Sequence, residues 1–388
     1  MKEYSERTCM CTLNRLFGFR PDIAHGIIDT FGSAREIFEA GGSRLDRILG
    51  PYSKISPLIC SSELENTEEE LKMIEDMGCT FICNGEPGFP ALLAECPDSP
   101  VGLYYRSASP PEEVFNGKPG VAVVGTRDIS PYGKEWCART VSALASCERP
   151  PLICSGFAIG TDIIAHTTAL EKGLPTVAVL PTGIDAVYPV RHTGFAQTLE
   201  RTPGCALITD YPPRTTPKAI NFIRRNRIIA GICQATVLIE SKRKGGGMIT
   251  ARLASSYGRS VLALPGRIDD VRSQGCNQLI QEMIAEPISD IGLLPSSIGL
   301  GTHSPESGPD VYATAENAFR GIVADDDIAL MKTLLKRIKA HRWPTVEDLS
   351  TYSGLSYSHT SRLIALLESE DIISTDLLQR CAINAKFA

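Results

Sequence analysis

Apolar residues recur along the chain with two different periods, and the change from one to the other divides it. Over residues 8–75 the spacing is helical. Thr12-Leu13-Asn14-Arg15-Leu16-Phe17-Gly18-Phe19 leads to a turn at Pro21, after which Ile23, Ile27, Ile28 and Phe31 share one face. Gly32-Ser33 reads as a helix stop followed by the N-cap of a helix from Ala34 to Ala40. Short helices joined by glycine turns predict a small helix-hairpin-helix or SAM-like bundle, a shape that serves DNA contact or plain structure equally well. From about residue 120 short continuous apolar runs replace this pattern, over 121–125, 151–156, 176–181, 206–210, 236–240 and 260–265, with helix-length segments between them. Val- and Ile-rich runs of this length suit strands buried on both faces. Six of them alternating with helices predict an α/β fold with a doubly wound, Rossmann-like parallel sheet. Its ligands would bind beyond the carboxyl ends of the strands.

Residues 291–325 hold Pro, Gly and Ser with little periodicity and read as a linker. Helical spacing resumes with Ile328, Leu330, Met331, Leu334, Leu335 and Ile338. A second helix begins at a capping box from Thr345 to Asp348, and Ser356 caps a third that carries Leu363, Ile364, Leu366 and Leu367. Asp371-Ile372-Ile373-Ser374 then opens a hairpin. Three helices and a hairpin predict a C-terminal winged helix. The expected domains are a helical front over 1–75, the Rossmann-like domain over 76–290, the linker over 291–325 and the winged helix over 326–388.

Charge changes this picture only when it is divided. The 388 residues carry 39 Lys+Arg and 45 Asp+Glu, a net of -6, which at first disfavours nucleic acid. Residues 1–118 hold 11 basic and 19 acidic residues, 286–325 hold 1 and 6, and 326–388 hold 8 of each. Residues 119–285 hold 19 basic and 12 acidic, so the sheet domain alone is positive. No run approaches the ~18 apolar residues of a membrane span. Met1–Arg7 lacks the pattern of a secretion signal, so a cytoplasmic chain is expected. The 13 cysteines show no zinc spacing and mostly sit in apolar runs, which predicts buried, inert thiols.

The strand ends carry the chemistry. The first leads into Gly125-Thr126-Arg127, which is neither a dinucleotide fingerprint nor a Walker loop, so no cofactor is expected there. An Arg at a strand end beside a helix start still suits phosphate, the alternative being a pair with Asp128. The second leads into Ser155-Gly156 and on through Ile159-Gly160-Thr161-Asp162, whose glycines allow close backbone approach to an anion. His166 lies one turn after Asp162, and a hydrogen bond between the two is favoured over a general base. The loops Gly183–Pro189 and Tyr211–Arg214 shape the same edge. The richest stretch runs from Arg214 through Lys218, Phe222, Arg224, Arg225, Asn226 and Arg227 with no acidic residue. Basic residues interleaved with an aromatic suit a single strand, the charges following phosphates while the ring stacks on a base. The bland alternative is a core Phe222 with the charges on a solvated face, and at least one of the polar residues capping the helix from Ile228 and packed inward. Lys242-Arg243-Lys244 then precede Gly245-Gly246-Gly247 at a helix start, another anion-receiving geometry.

In this order the motifs resemble the DNA-processing protein A (DprA/Smf) family. They are Val124 to Arg127, Ser155 to Asp162, Leu180 to Pro189, Phe222 to Gly231, Gly246 to Ala251 and Pro265-Gly266 with Ser273 to Ile280, and together they cover roughly residues 8–290. Arg225-Asn226-Arg227-Ile228-Ile229-Ala230-Gly231 is the most specific piece. The resemblance implies a binding protein and no enzyme. It would hold single-stranded DNA on the Rossmann-like domain, form a homodimer through that domain, and load RecA recombinase during DNA uptake and natural transformation. By position the DNA contacts fall on Arg127, Lys218, Phe222, Arg225 and Arg227, with Gly125, Thr126, Ser155, Gly156, Gly160, Arg224, Asn226, Lys242, Lys244 and Gly246 beside them. Arg127 and Arg225 are expected to be removable without unfolding the domain. Departures from the family pattern include Ile159 in place of an Arg and Thr161 in place of an Ile; the missing Arg removes one phosphate contact, so affinity would be lower or carried by Lys242–Lys244.

Two other functions were weighed. One is a nucleotide-processing enzyme of the phosphoribohydrolase type, whose glycine motif carries a Glu three residues past its Thr. Here Gly245 to Thr250 is followed by Ala251-Arg252-Leu253. The other is a transcription regulator reading DNA through the tail, whose recognition helix offers only His359, Thr360, Ser361 and Arg362, and a protein contact or weak duplex contact is expected there instead.

Overall fold

The computed structural model describes residues 3–40, 42–50, 52–54, 56–301, 310–341, 344–376 and 378–384. It divides into two compact units, Met1–Thr302 and His303–Ala388.

The first unit is built on a nine-stranded sheet. In chain order the strands are β1 (Cys79–Cys83), β2 (Gly102–Arg106), β3 (Gly120–Val124), β4 (Leu152–Ser155), β5 (Thr176–Val179), β6 (Ala206–Thr209), β7 (Ala235–Leu238), β8 (Ser260–Ala263) and β9 (Glu286–Pro287). They lie in the order β1-β2-β6-β5-β4-β3-β7-β8-β9. The six strands read from the sequence are present as β3 to β8, and all pair in parallel. The hairpin-like pair β1 and β2 was not anticipated. It extends the sheet antiparallel beyond β6, and its short Cys- and Tyr-containing strands lack the Val/Ile run that marked the others.

Alternation along each strand buries both faces. Ala122 and Val124 of β3 join the core beneath the helices Ala219–Ile232, Gly246–Ser256 and Gln274–Gln281. Val121 and Val123 point the other way, into the core beneath Pro131–Leu144 and Thr161–Glu171. The chain steps outward from β3 to β6, then crosses back to β7 on the far side of β3. The carboxyl ends of β3 and β7 are therefore the topological switch point, where the loops on either side diverge and leave a crevice.

The helical front does not form a core of its own at the expected boundary of residue 75. Leu13, Phe17, Ala24, Ile27 and Ile74 pack with Phe81, Tyr104, Ala178, Leu180 and Leu207 of the sheet. Polar ties cross the same seam: Asn14 Nδ2 donates to the Asp210 carbonyl at 2.9 Å, and the Tyr104 hydroxyl donates to Glu70 at 2.6 Å. The reason is the sheet itself, whose β1, β2 and β6 end would expose apolar residues on that face without the helices. The Gly32-Ser33 reading holds, with Gly32 left-handed at φ 94° and the Ser33 hydroxyl accepting from the Glu36 amide.

Residues read as linker divide between the two units. Leu294, Ile298 and Leu300 pack under the sheet, whereas the helix Val311–Phe319 packs in the second unit. That unit also contains helices Asp325–Ala340, Val346–Ser353 and Tyr357–Ser369 and a two-stranded hairpin, Ile373–Thr375 with Cys381–Ile383. The Thr345–Asp348 capping box and the Ser356 cap are formed as expected. His359 and Arg362 both engage the Asp327 carboxylate, and Thr360 is buried.

All 13 cysteines are free thiols, and all but the half-buried Cys60 are buried. Truncating Leu13, which is wholly buried between front and sheet, tests the shared core. Leu13→Ala should cost ~2–5 kcal/mol. Chemical denaturation should show the front and the sheet shifting together in one transition; loss of helix with the sheet transition unmoved would show two independent cores.

Candidate nucleic-acid interface

At the switch point lies a cleft of about 630 Å³, lined by the β3 loop Val124–Asp128, by Tyr188, by Phe222, Arg225 and Asn226, and by Ser241–Lys242 with Gly245–Gly247. Residues from three loops and the helix Ala219–Ile232, far apart in sequence, are thus brought to one place.

Arg127 is exposed at the mouth. Its guanidinium does not pair with the neighbouring Asp128, because Arg272 holds that carboxylate at 3.0 Å. Arg127 instead lies over the Phe222 ring, 4.5 Å from its centroid, while Tyr188 meets the same ring edge-on at 5.6 Å. Phe222 is half-buried, so it is neither core nor free surface but a partly covered aromatic face beside a cation. Opposite stands the N-terminus of the helix Gly246–Ser256, approached by the exposed Lys242. The first amides of a helix lack intrahelical partners and favour an anion. Lys218 and Lys244 are exposed at the ends of two helix-entry loops near the cleft residues but do not line it.

Other residues expected at the interface have a partner inside the protein. The Ser155 hydroxyl is fully buried and donates to the Val123 carbonyl at 2.6 Å. Arg225 is 3% exposed, and its Nη1 donates to the carbonyls of Gly156 and Val179. A Cβ at Gly156 would overlap that guanidinium, which is why glycine stands there. Gly160, at φ 85°, takes a backbone form that side chains rarely adopt and packs against Thr126 and Arg127, joining the first two loops. Thr126 accepts there from the Thr161 amide at 3.2 Å. Asn226 reaches the Gly246 carbonyl at 3.4 Å and closes the cleft floor. Arg227 points away from the cleft, to the Asp210 carboxylate and, at 2.5 Å, to the Asp98 carbonyl. Arg224 lies on the opposite shoulder of the helix, 3.8 Å over the ring of Phe19.

Sequence reasoning missed the part played by Asp162. Its Oδ2 accepts from the Ala158 amide at 3.1 Å, and it lines the cleft together with Arg127 and Arg225. Burial pushes this carboxyl up, opposed by the charge of Arg225; burial pulls the Arg225 guanidinium down, opposed by Asp162. The expected Asp162–His166 hydrogen bond is not formed. His166 is buried, and its Nδ1 meets the Thr176 hydroxyl at 2.7 Å. Thr176 gives its own proton to the Ile153 carbonyl, so Nδ1–H is the donor. Burial lowers its pKa to about 3, with the charge of Arg225 acting the same way.

A doubly wound, mostly parallel sheet with a cleft at its switch point defines a Rossmann-like α/β protein, and here the cleft brings together an Arg–aromatic stack, a lysine and a helix N-terminus. Residues 80–296 match the family model of DNA recombination-mediator protein A, and the chain belongs to that family. It is 32% identical over 262 residues to protein Smf of Synechocystis sp., covering 67% of this chain and 62% of that one. It is 37% identical over 194 residues to DNA processing protein DprA of Streptococcus pneumoniae, covering 50% and 66%. These matches span somewhat under two thirds of the relatives' lengths. The solved structure of S. pneumoniae DprA superposes with a TM-score of 0.63 at 25% identity, covering 78% of this chain and all of that one. DNA processing protein A of Helicobacter pylori, a structure concerned with its single-stranded DNA binding mode, gives 0.50 at 26% identity, covering 57% and 96%.

Two outcomes follow from the buried groups. Contrary to the expectation from sequence, Arg225→Ala should destabilise the unit by ~1–3 kcal/mol for each carbonyl left unpaired, read as a lower denaturation midpoint. His166 bears on pH. Its folded pKa is below the unfolded value of 6.5, so its contribution is complete above 6.5 and is lost as pH falls towards about 3. His166→Asn should flatten that part of the stability–pH profile; an unchanged slope would contradict the burial argument.

Proposed function

We propose that this chain binds single-stranded DNA in the switch-point cleft and passes it to RecA recombinase as a homodimer during uptake of transforming DNA. The observation that carries the reading is the Arg127–Phe222 stack lining one cleft with Lys242 and the helix N-terminus at Gly246. A cation over a half-buried ring offers a strand both things it needs, charge for a phosphate and a π face for a base, without reading sequence. Membership of the family supports the recombination role, and the H. pylori relative supports the ligand. Homodimerisation through the Rossmann-like domain is supported by the exposed Ile268, Val271 and Met283, apolar residues on its β8–β9 side. No helix among the described residues is long and apolar enough to cross a membrane, and a DNA ligand together with buried thiols supports a cytoplasmic setting.

The enzymatic alternative requires a group free for proton transfer. The cleft carboxylates already have structural work: Asp128 pairs with Arg272, and Asp162 holds the Ala158 amide opposite Arg225. Binding without turnover is therefore the favoured reading.

In fluorescence anisotropy with a thymidine oligonucleotide, Arg127→Ala should weaken binding and reduce the slope of log affinity against log salt by ~0.7, one phosphate contact on a single strand. Phe222→Ala should cost ~1–3 kcal/mol with the slope unchanged. Both variants should melt like the wild type. Full affinity in both would remove the cleft as the site, and release of free base from a nucleoside monophosphate would restore the enzymatic reading.

A further inference from the structure

The helix Ala219–Ile232 presents more than its cleft side. At 100° per residue its first two turns place Phe222 and Asn226 on one shoulder, Ala219, Ile223 and Ile220 across the crest, and Arg224 on the other shoulder. The buried positions Asn221, Arg225 and Ile228 lie underneath. The crest is open, with Ile220 44% and Ile223 46% exposed and Lys218 exposed at its start. Each shoulder carries the same device. On the cleft side Arg127 lies 4.5 Å over Phe222, and on the far side Arg224 lies 3.8 Å over Phe19. Among the described residues neither arginine has a carboxylate within 4 Å, so neither charge is neutralised by an ion pair.

Phe19 is 59% exposed, yet it is held in place. Its loop is closed by the Arg20 amide donating to the Phe17 carbonyl at 2.6 Å and is flanked by the helices Glu6–Phe17 and Pro21–Phe31. Behind the ring stands Tyr211 at 6.3 Å, itself buried and bonded through its hydroxyl to the Asn221 carbonyl of the same helix. The ring belongs to the helical front and the guanidinium to the Rossmann-like domain, within one compact unit. A lone exposed Phe needs no explanation. A fixed Phe beneath an unpaired arginine, about one helix diameter (roughly 10 Å) from a matching pair, does.

We propose that a bound single strand does not end at the cleft but crosses the Ile220–Ile223 crest to a second stacking station formed by Phe19 and Arg224, making the helical front part of the DNA-binding surface. The proposal rests on the cleft being the primary single-strand site. Apolar side chains on the crest suit the faces of unstacked bases, Lys218 and Arg224 suit the phosphates between them, and the planar guanidinium over a ring is a platform that accepts any base.

The test uses the full chain and two thymidine oligonucleotides, one short enough to fill only the cleft and one several times longer. Phe19→Ala should weaken the long oligonucleotide about five-fold or more, the low end of a lost base stack, and leave the short one unchanged. Phe19→Tyr should restore binding of the long one. A 2-aminopurine placed in the long strand should be quenched by the wild type and less so by Phe19→Ala. Phe19→Leu, which keeps apolar bulk and removes the π face, gives the same comparison if Phe19→Ala melts early. Phe222→Ala separates the two ideas. If it weakens both lengths while the Phe19 variants bind like wild type, the second station is wrong and the cleft stands. If neither position matters, the cleft reading fails and takes this one with it. Equal weakening of both lengths by Phe19→Ala would also overturn the proposal, since the ring would then act through the cleft rather than as a separate station.

Discussion

The guanidinium of Arg225, buried at the heart of the first unit, ties together the elements that make the cleft. It donates to carbonyls at the ends of two neighbouring strands, Gly156 after β4 and Val179 in β5, and its charge is balanced by Asp162 at the start of the next helix. A buried charge without such partners would be costly, so the loops and the helix Ala219–Ile232 are held in one arrangement that satisfies it. Phe222 stands three residues earlier on the same helix, close to the same face. Burying Arg225 therefore aims Phe222 at the cleft mouth, where Arg127 can cover it. Gly156 makes room for the guanidinium, while Gly160 brings the loop of β4 against that of β3.

The run Arg224-Arg225-Asn226-Arg227 shows why a basic stretch of sequence is not a basic patch of surface. Successive residues turn by 100° on a helix, so the three arginines diverge: Arg224 to Phe19, Arg225 under the cleft, Arg227 to the buried Asp210. The excess of 19 basic over 12 acidic residues in 119–285 is real. Part of it is consumed inside the fold, and the exposed cations that line the cleft, Arg127 and Lys242, are far apart in sequence. In the tail, His359 and Arg362 of the would-be recognition helix both engage the Asp327 carboxylate.

Much of this was legible beforehand. Buried parallel strands announce themselves through unbroken Val/Ile runs, so β3 to β8 and the parallel sheet could be read directly, and with them the edge where a ligand would bind. Helix stops at Gly32 and caps at Ser33, Thr345 and Ser356 were equally plain, because capping is a matter of three or four neighbouring residues. The motif order identified the family. The chain also determined by itself that its positive charge lies in the sheet domain. What it could not determine was direction. Ser155, Arg225 and Arg227 belong to the motifs, but whether a side chain faces ligand or carbonyl depends on partners 17 to 129 residues away, such as Asp210, Gly156 and Asp98. The pairing of Asp128 with Arg272, which frees Arg127, and the meeting of Phe19 with Arg224 across some two hundred residues, were decided only when the chain closed on itself. Local sequence specifies backbone states because those energies are local; a charge finds its partner only in the packed structure, because the cost of leaving it unpaired arises only once water is gone.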